Sequence, residues 1–168
     1  MGLQEHRDES PVCIAFAVLT ISDSRDRGSD RGGDYLVEAI EAAGHRVVER
    51  SLCPDEGALI ATSVRAAAER ADIDLVLTTG GTGIAPRDVT FTALGEVLDS
   101  ELPGFGELFR WLSYAEIGSA AILSRALGGL VGDTVVLAMP GSPKALRLAM
   151  EKIVLPEAGH LVSQSRRR

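Results

Sequence analysis

Apolar runs alternate with amphipathic segments along most of this chain. Four runs are short and rich in β-branched and aliphatic residues, which is typical of strands buried in a parallel sheet. They predict strands over 12–22, 45–52, 72–79 and 133–141. The amphipathic segments predict helices over 35–43, 55–71, 91–98 and 142–161. Because strands alternate with helices, the pattern indicates an α/β fold with helices on both faces of a mostly parallel sheet.

The chain has the size of one domain. Its 168 residues, 45% of them hydrophobic, suffice for one well-buried core but not for two ordinary domains. We therefore predict a single domain over 1–168, with flexible tails at 1–11 and 162–168. The segment 102–114 is interrupted by proline and glycine, and 119–132 is rich in small residues.

Charge and cysteine content limit the partners and the compartment. The formal net charge of -7 argues against a nucleic-acid partner, because binding to a phosphate backbone requires a basic surface. Cys13, in the first predicted strand, and Cys53 give neither a disulfide framework nor the spacing of a zinc site. The charged amino terminus and the absence of a membrane-length apolar run predict a cytoplasmic protein without a membrane partner.

Four loops that follow predicted strands carry the polar residues and glycines expected of a ligand site. Their sequences are TISDSR, CPDE, TTGGTGIAPRD and MPGSPK. Ligands of open α/β sheets bind outside the carboxyl ends of the strands. We therefore expect the functional site at this edge of the sheet.

The loop TTGGTGIAPRD combines three glycines with an arginine and an aspartate. Gly80, Gly81 and Gly83 allow a tight turn that brings several backbone amides to one anion, as in a phosphate cradle. The spacing matches neither a dinucleotide fingerprint nor a Walker A loop, and a glycine-rich turn without a ligand is the alternative. Arg87 can pair with phosphate, and Asp88 can either hold magnesium or cap the next helix.

Asp55 also has two interpretations. It follows a strand and Pro54 at the start of a helix, where aspartate commonly acts as a cap. Beside Asp88 at the same edge of the sheet, it would instead complete a two-carboxylate magnesium site. Mg²⁺ usually takes one or two protein carboxylates together with substrate phosphates and waters.

Two further segments supply positive charge and hydroxyl groups. Lys144 lies at the start of the last helix, where a cation opposes the helix dipole, which indicates that it faces an anion. Ser124 and Arg125 precede a glycine pair, and a solvated arginine is the alternative there. None of the 3 histidines is placed as a general base for a serine nucleophile. The candidate chemistry is therefore electrostatic, as in phosphate or nucleotidyl transfer through magnesium.

The loop motifs resemble those of the MoaB/MogA family of molybdenum cofactor biosynthesis proteins. The similarity rests on LTISDSR, DRGG, CPDE, TTGGTGIAPRDVT and VVLAMPGSPKA, and it covers about 12–161. It implies a three-layer α/β molybdopterin-binding fold, commonly assembled as homotrimers or homohexamers. The activity implied is transfer of an adenylyl group from magnesium-bound ATP to molybdopterin, with release of pyrophosphate.

The resemblance also implies roles for individual residues. Asp55 and Asp88 are expected to be catalytic and to bind the Mg²⁺ ion. Substrate and phosphate binding is expected at Thr20, Ser22, Gly80, Gly81, Thr82, Gly83, Arg87, Ser124, Arg125, Pro140, Gly141, Ser142 and Lys144. The chain departs from the family pattern at Phe91, because proline usually follows the RDVT motif.

Branch membership leaves a second function open. The tract GFGELFRWLSYAEIG is most similar to the MoaB branch, which includes members without the adenylylating activity. The alternative is therefore a noncatalytic molybdopterin-binding or scaffold protein. A different nucleotide- or sugar-phosphate-binding α/β protein is a third hypothesis.

The aromatic residues are concentrated in one stretch. Phe105, Phe109, Trp111 and Tyr114 all fall within it. A helix face packed on the core, a subunit interface and a lid over the pterin are the three interpretations.

Overall fold

The computed structural model describes residues 11 and 13–167, so most of the tail predicted at 1–11 lies outside the described residues. Within the described part, the strands are β1 (Ala15–Ile21), β2 (Arg46–Cys53), β3 (Leu75–Thr79), β4 (Ser100–Glu101), β5 (Leu127–Val131) and β6 (Thr134–Met139). The α-helices are α1 (Arg31–Ala42), α2 (Gly57–Ala68), α3 (Thr90–Gly95), α4 (Pro103–Ile117), α5 (Pro143–Ala149) and α6 (Leu155–Ser165). A 3₁₀ helix, Gly118–Leu123, follows α4, and a π-helical turn, Met150–Val154, joins α5 to α6.

The strands form one mixed sheet in the order β2-β1-β3-β6-β5-β4. The neighbours among β2, β1, β3 and β6 are parallel. The last two strands are antiparallel to their neighbours. The predicted mostly parallel sheet is therefore confirmed, with an antiparallel edge.

Helices cover both faces of the sheet. In β1, Phe16 and Val18 face the core formed with α1, α4, α5 and α6. Ala17 and Leu19 of the same strand face the core formed with α2 and α3. Since alternate residues of a strand point to opposite faces, β1 is buried on both sides. The three-layer arrangement is thus confirmed.

The first two elements begin at other residues than the sequence predicted. The first strand begins at Ala15, and Cys13 is exposed ahead of it instead of lying within a strand. The first helix begins at Arg31, four residues before the predicted start, because the Asp30 carboxylate caps it by accepting a hydrogen bond from the Gly33 amide.

The sequence analysis assigned no strand at β4 or β5, and it considered a helix at α4 only as one interpretation of the aromatic residues. The segment predicted to be interrupted is the continuous helix α4, because Pro103 occupies the first turn, where its missing N–H is not needed. The small-residue stretch contains β5, although it carries Gly128 and Gly129. Phe105 and Leu98 occupy the space that side chains at these two positions would need. Glycine is therefore required here because neighbouring residues pack closely over the strand.

The carboxyl-terminal helix is longer than predicted. The π-helical turn lies just before Pro156. In a regular α-helix the ring of this proline would clash with the carbonyl group four residues earlier, and the wider turn relieves that clash. Beyond it α6 continues to Ser165 and buries Val162 completely, so 162–165 are helical and not part of a tail. No helix in the described residues is both long enough and apolar enough to span a membrane.

Candidate functional site

The loops predicted to carry the site meet at one edge of the sheet. Ile21 pairs with Cys53, and Thr79 pairs with both Thr20 and Met139. Because these parallel strands end at the same level, the loops after β1, β2, β3 and β6 lie side by side. The sheet topology therefore assembles the loops that the sequence singled out.

Two cavities open at this edge, and both include residues of the loop 140–144. The first, which we call the acidic cavity, has a volume of about 270 Å³ and is lined among others by Ser22, Asp23, Asp55, Arg87, Asp88 and Gly141. The second, the lysine cavity, has a volume of about 280 Å³ and is lined among others by Ser113, Ile117, Leu123, Ser124, Pro140 and Lys144. Most of the predicted site residues are thus divided between two adjoining spaces.

The glycine loop takes a backbone path that other residues would not fit. Gly80 has φ 102° and Gly81 has φ 59°, both in the region that favours glycine. A Cβ atom on Gly80 would lie 2.2 Å from the Ile21 carbonyl oxygen, and one on Gly81 would lie 2.3 Å from Thr90 Oγ1. The tight turn predicted from these glycines is therefore present, and it is enclosed by neighbouring loops.

The start of α3 holds the entry of this loop in place. The Thr90 hydroxyl donates to the Gly80 carbonyl at 3.1 Å, and the Thr90 amide donates to the Gly81 carbonyl at 3.2 Å. The Gly80 amide in turn donates to the Met139 carbonyl at 3.2 Å. The loop is thus tied both to the helix that follows it and to the neighbouring strand.

Asp88 does not cap a helix. The helix α3 starts at Thr90 with Val89 as its cap residue, which forms no side-chain capping bond. The Asp88 carboxylate instead accepts a hydrogen bond from the Ala85 amide at 2.8 Å. Asp88 also lines the acidic cavity.

Asp55 does not cap a helix either, because the cap residue of α2 is Glu56. Its Oδ1 is buried and has no hydrogen-bond donor in the described structure. Burial raises the pKa of Asp55, as do the charges of Asp23 and Asp88, while the nearby Val89 amide and the Arg87 charge act in the opposite direction. A buried acceptor without a donor is costly, which is a reason to look for a ligand here.

Asp23 is a third carboxylate of the acidic cavity, and the sequence analysis did not select it. Its Oδ1 accepts a hydrogen bond from the Asp55 amide at 2.8 Å, so it joins the loop after β1 to the loop after β2. The signal available in the sequence was its place directly after the first strand, in TISDSR. Arg25, which lines the same cavity, was missed in the same way.

Thr20 lies below the cavity and not in it. Its side chain is fully buried, and its hydroxyl donates to Asp30 Oδ2 at 2.8 Å. The same carboxylate binds the Arg50 guanidinium at 3.1 Å. Burial alone would raise the pKa of Asp30, but these bonds and the one from Gly33 together lower it. Thr20 therefore supports the loop after β1 through Asp30.

The carboxylates of the acidic cavity fit a magnesium ion only if phosphate and water complete its coordination shell. In the described residues, no group of three or more His, Cys, Asp or Glu side chains is arranged to hold a metal ion. Asp55 and Asp88 nevertheless line one cavity, and the unpartnered oxygen of Asp55 is a hard anionic donor. Magnesium commonly binds through one or two carboxylates and completes its shell with phosphates and water. The residues present fit that pattern.

The other predicted residues occupy varied positions. Ser142 caps α5, since its hydroxyl accepts from the Ala145 amide, and Lys144 in the first turn is exposed at the lysine cavity. Thr82 is buried within the glycine loop, whereas Arg87 is exposed at the rim of the acidic cavity. Arg125 donates to the Gly83 carbonyl at 2.7 Å.

The aromatic tract divides between core and surface. Phe105 and Phe109 are buried against the sheet, as the core interpretation predicts. Trp111 and Tyr114 are 71% and 64% exposed, and neither lines the acidic or the lysine cavity. Half of the tract is therefore core, and the other half forms an exposed apolar surface along α4.

The fold and the site together define a class. This is an α/β protein with a ligand site at the carboxyl ends of its parallel strands, where a glycine loop lies beside paired carboxylates. Residues 17–160 match the sequence profile of the family described as "Probable molybdopterin binding domain".

Individual relatives agree with this match. The chain is 46% identical to Molybdenum cofactor biosynthesis protein B of Bacillus cereus, over 99% of each chain. A crystal structure of a Molybdenum cofactor biosynthesis protein B superposes with a TM-score of 0.92 at 46% identity, covering 95% of this chain and 100% of that one. The tungsten cofactor synthesizing protein MoaB from Pyrococcus furiosus superposes with a TM-score of 0.84 at 33% identity, covering 94% and 100%. The chain therefore belongs to the MoaB/MogA family of molybdenum cofactor biosynthesis proteins.

Proposed function

We propose that this protein is a molybdopterin adenylyltransferase, which transfers the adenylyl group of magnesium-bound ATP to molybdopterin and releases pyrophosphate. The observation that carries the proposal is the placement of Asp55 and Asp88 beside the glycine loop, with one buried oxygen of Asp55 left without a donor. Membership of a molybdopterin-binding family supports the pterin as the second substrate.

The acidic cavity suits the triphosphate. Asp55 and Asp88 would hold the magnesium ion, which when bound stabilises the negative charge that develops on the transferred phosphate. The amides of the glycine loop are rigidly placed because Gly80 and Gly81 are tied to Thr90. Arg25 and Arg87 add positive charge to a cavity that also contains three carboxylates. These groups would orient the α-phosphorus for attack in line with its leaving group.

The lysine cavity suits the anionic end of the other substrate. Lys144 supplies a cation, and the apolar side chains of Ile117 and Leu123 supply a wall for a ring. The loop 140–144 contributes to both cavities, so a phosphate bound near Lys144 can approach the triphosphate. A terminal phosphate oxygen of molybdopterin would form a bond to the α-phosphorus of ATP. The bond from that phosphorus to the β-phosphate oxygen would break, and pyrophosphate would leave with the electron pair.

No protein nucleophile is required by this scheme. Among the described residues, those that line the two cavities include no histidine and no cysteine. Positioning and charge stabilisation are therefore the contributions expected of the protein, as in other phosphoryl transfers.

We also propose that the protein forms homotrimers or homohexamers in the cytoplasm. Leu108, Trp111, Tyr114 and Ile117 follow one another at intervals of three residues along α4, and all are exposed. Side chains three apart are neighbours on a helix, so each of these residues lies beside the next, in a row that winds part of the way around α4. Exposed apolar patches mark interaction sites, and aromatic residues are enriched at the centres of subunit interfaces. Light scattering after size-exclusion chromatography would give the mass of the assembly.

Product analysis tests the proposed activity. We would incubate the purified protein with molybdopterin, ATP and Mg²⁺ and search by mass spectrometry for adenylated molybdopterin and pyrophosphate. Glu41→Gln is a suitable control, because Glu41 is an exposed carboxylate near the carboxyl-terminal end of α1. Product with the wild type and with this control, but not with Asp88→Asn, supports the transferase. Bound pterin without product would instead identify a noncatalytic binding or scaffold protein.

A further inference from the structure

Arg125 has its guanidinium engaged within the protein. Its Nη1 donates to the Gly83 carbonyl oxygen at 2.7 Å, across 42 positions of sequence. Within the part of the chain that the structure describes, no carboxylate forms an ion pair with it. The residue therefore contacts the glycine loop directly and lies outside the set that lines the two cavities.

Phe91 forms the other side of this contact. The central carbon of the Arg125 guanidinium lies 4.0 Å from the centre of the Phe91 ring. This is well within the distance at which a cation is attracted by the face of an aromatic ring. The ring also limits the positions that the guanidinium can take, so the bond to Gly83 is held in one geometry.

Phe91 and its neighbour Thr90 act on opposite ends of the same loop. Thr90 binds the carbonyls of Gly80 and Gly81 at the entry, as described above. Phe91 acts on Gly83 at the exit, through Arg125. The first turn of α3 thus fixes the loop on both sides, with one residue for each side.

We propose that Phe91 and Arg125 form a clamp that fixes the exit of the glycine loop, and that Arg125 is a positioning residue and not a ligand of the substrate. The catalytic consequence of the clamp rests on the proposed adenylyl transfer. Its structural part depends only on the contacts among Phe91, Arg125 and Gly83. The clamp also gives a role to Phe91, which stands where the family pattern usually has proline.

Hydrogen–deuterium exchange tests the clamp without any substrate. We would compare the amides of 80–88 in the wild-type protein, Phe91→Leu, Arg125→Gln and the double variant. Phe91→Leu keeps apolar volume but removes the ring, so exchange should become roughly fivefold faster, on the scale of a partly exposed cation–π contact. Phe91→Tyr keeps the ring and should exchange like the wild type.

The double variant shows whether the two residues act as one unit. Without the Arg125 guanidinium, the Phe91 ring has no cation to contact and no longer acts on the loop. The loop amides of the double variant should therefore exchange no faster than those of Arg125→Gln alone. Wild-type exchange in Phe91→Leu would overturn the clamp. So would a double variant whose acceleration is the product of the two single effects.

Enzyme kinetics then separate positioning from direct binding. The clamp predicts that Phe91→Leu and Arg125→Gln change the same parameters, kcat and the KM for ATP, in the same direction. A direct bond from Arg125 to substrate predicts a raised KM in Arg125→Gln and wild-type values in Phe91→Leu, which would overturn the proposal. If the wild-type protein forms no adenylated pterin, the proposed function fails, and the exchange experiment still decides the clamp.

Discussion

The two ends of the sheet carry cavities that differ in size and in how their polar groups are satisfied. At the amino ends of β3 and β6, a groove of about 670 Å³ is lined by several charged residues, including Arg65, Arg70 and Arg166. Each of these arginines has a partner in the protein. Arg65 donates to the Glu96 carbonyl, Arg166 pairs with Asp74, and Arg70 binds two carboxylates.

The acidic cavity at the carboxyl ends is smaller, about 270 Å³, but its polar groups have fewer partners within the protein. Among the described residues Asp55 Oδ1 is buried without a donor, and burial together with the charges of Asp23 and Asp88 raises the pKa of Asp55. Volume alone would select the groove at the amino ends. The donorless oxygen of Asp55 favours the acidic cavity over this groove, because a fold keeps a buried acceptor without a donor at a cost.

The largest expected effect is the loss of catalysis on replacing Asp55. Asp55→Asn keeps the size of the side chain but removes the charge that would bind magnesium. Turnover should fall by at least about a hundredfold, since a metal contributes several kcal/mol to the transition state. Steady-state formation of adenylated molybdopterin measures this. Wild-type turnover in the variant would show that the unpaired carboxylate does not mark the site.

Two glycine substitutions compare the cost of adding a side chain in the site with its cost at an open surface position. Gly81 and Gly44 both have positive φ, but a Cβ on Gly81 would meet Thr90 and Asp55, whereas one on Gly44 would meet nothing within 4 Å. Gly44→Ala should cost about 1–2 kcal/mol of stability from backbone strain alone and leave activity intact.

Gly81→Ala should cost more than Gly44→Ala and should also reduce turnover, because the loop must shift. Denaturant unfolding and product formation measure the two effects. Equal stability losses in the two variants would show that the surroundings of Gly81 are less rigid than the structure indicates.

Asp23 is expected to act through its hydrogen bond to the Asp55 amide. Asp23→Ala removes the acceptor and should lower kcat/KM about tenfold, the scale of one hydrogen bond to a charged group. Asp23→Asn keeps an acceptor oxygen and should restore most of the activity. If Asn is as impaired as Ala, the charge of Asp23 matters more than its bond, as it would for a metal ligand.

The dependence of stability on pH distinguishes Asp55 from Asp30. The folded state raises the pKa of Asp55, so its ionised form destabilises the protein above that raised value. In magnesium-free buffer Asp55→Asn should therefore melt at a higher temperature at neutral pH. The gain should shrink as pH falls through the folded pKa and vanish below the ordinary value of 3.8.

Asp30 should show the opposite sign, because its folded pKa is lowered. Its stabilising contribution is complete above 3.8 and is lost as pH falls through the lower, folded pKa. Asp30→Asn should accordingly melt lower at neutral pH, with a deficit that closes in acid. Melting curves from pH 7 to pH 2 measure both variants. A lower melting temperature for Asp55→Asn at neutral pH would contradict the assigned penalty.

The smallest effect is expected in the groove at the amino ends. Arg70 is partly exposed, and its pairs with Asp72 and Glu49 lie at the surface. Arg70→Gln should leave turnover unchanged and the melting temperature nearly so, because exposed ion pairs contribute little. A large loss of turnover would show that this end of the sheet takes part in the reaction.

The sequence predicted the strand-end loops well because buried parallel strands and glycine loops have strong local patterns. It left Asp55 and Asp88 open between capping and metal binding, since a carboxylate after a strand serves either purpose. Only the observed cap residues, Glu56 and Val89, decide against capping. The helix α4 was only one of several interpretations of its segment, because Pro103 resembles an interruption until its place in the first turn is known.

Contacts between distant segments could not be predicted from local pattern. Thr20 was expected to bind substrate, but Asp30 takes its hydroxyl. Arg125 was expected to bind substrate or to be solvated, and its contacts with Gly83 and Phe91 were not foreseen. In both cases the partner depends on how loops pack at the edge of the sheet.

A crystal structure with Mn²⁺ and α,β-methylene ATP would test the central claim most directly. Manganese replaces magnesium and has a measurable anomalous signal, and the methylene group blocks transfer. The account predicts an anomalous peak bound by Asp55 and Asp88, with the triphosphate against the glycine loop. A nucleotide in the groove at the amino ends, or a metal bound away from both aspartates, would contradict it.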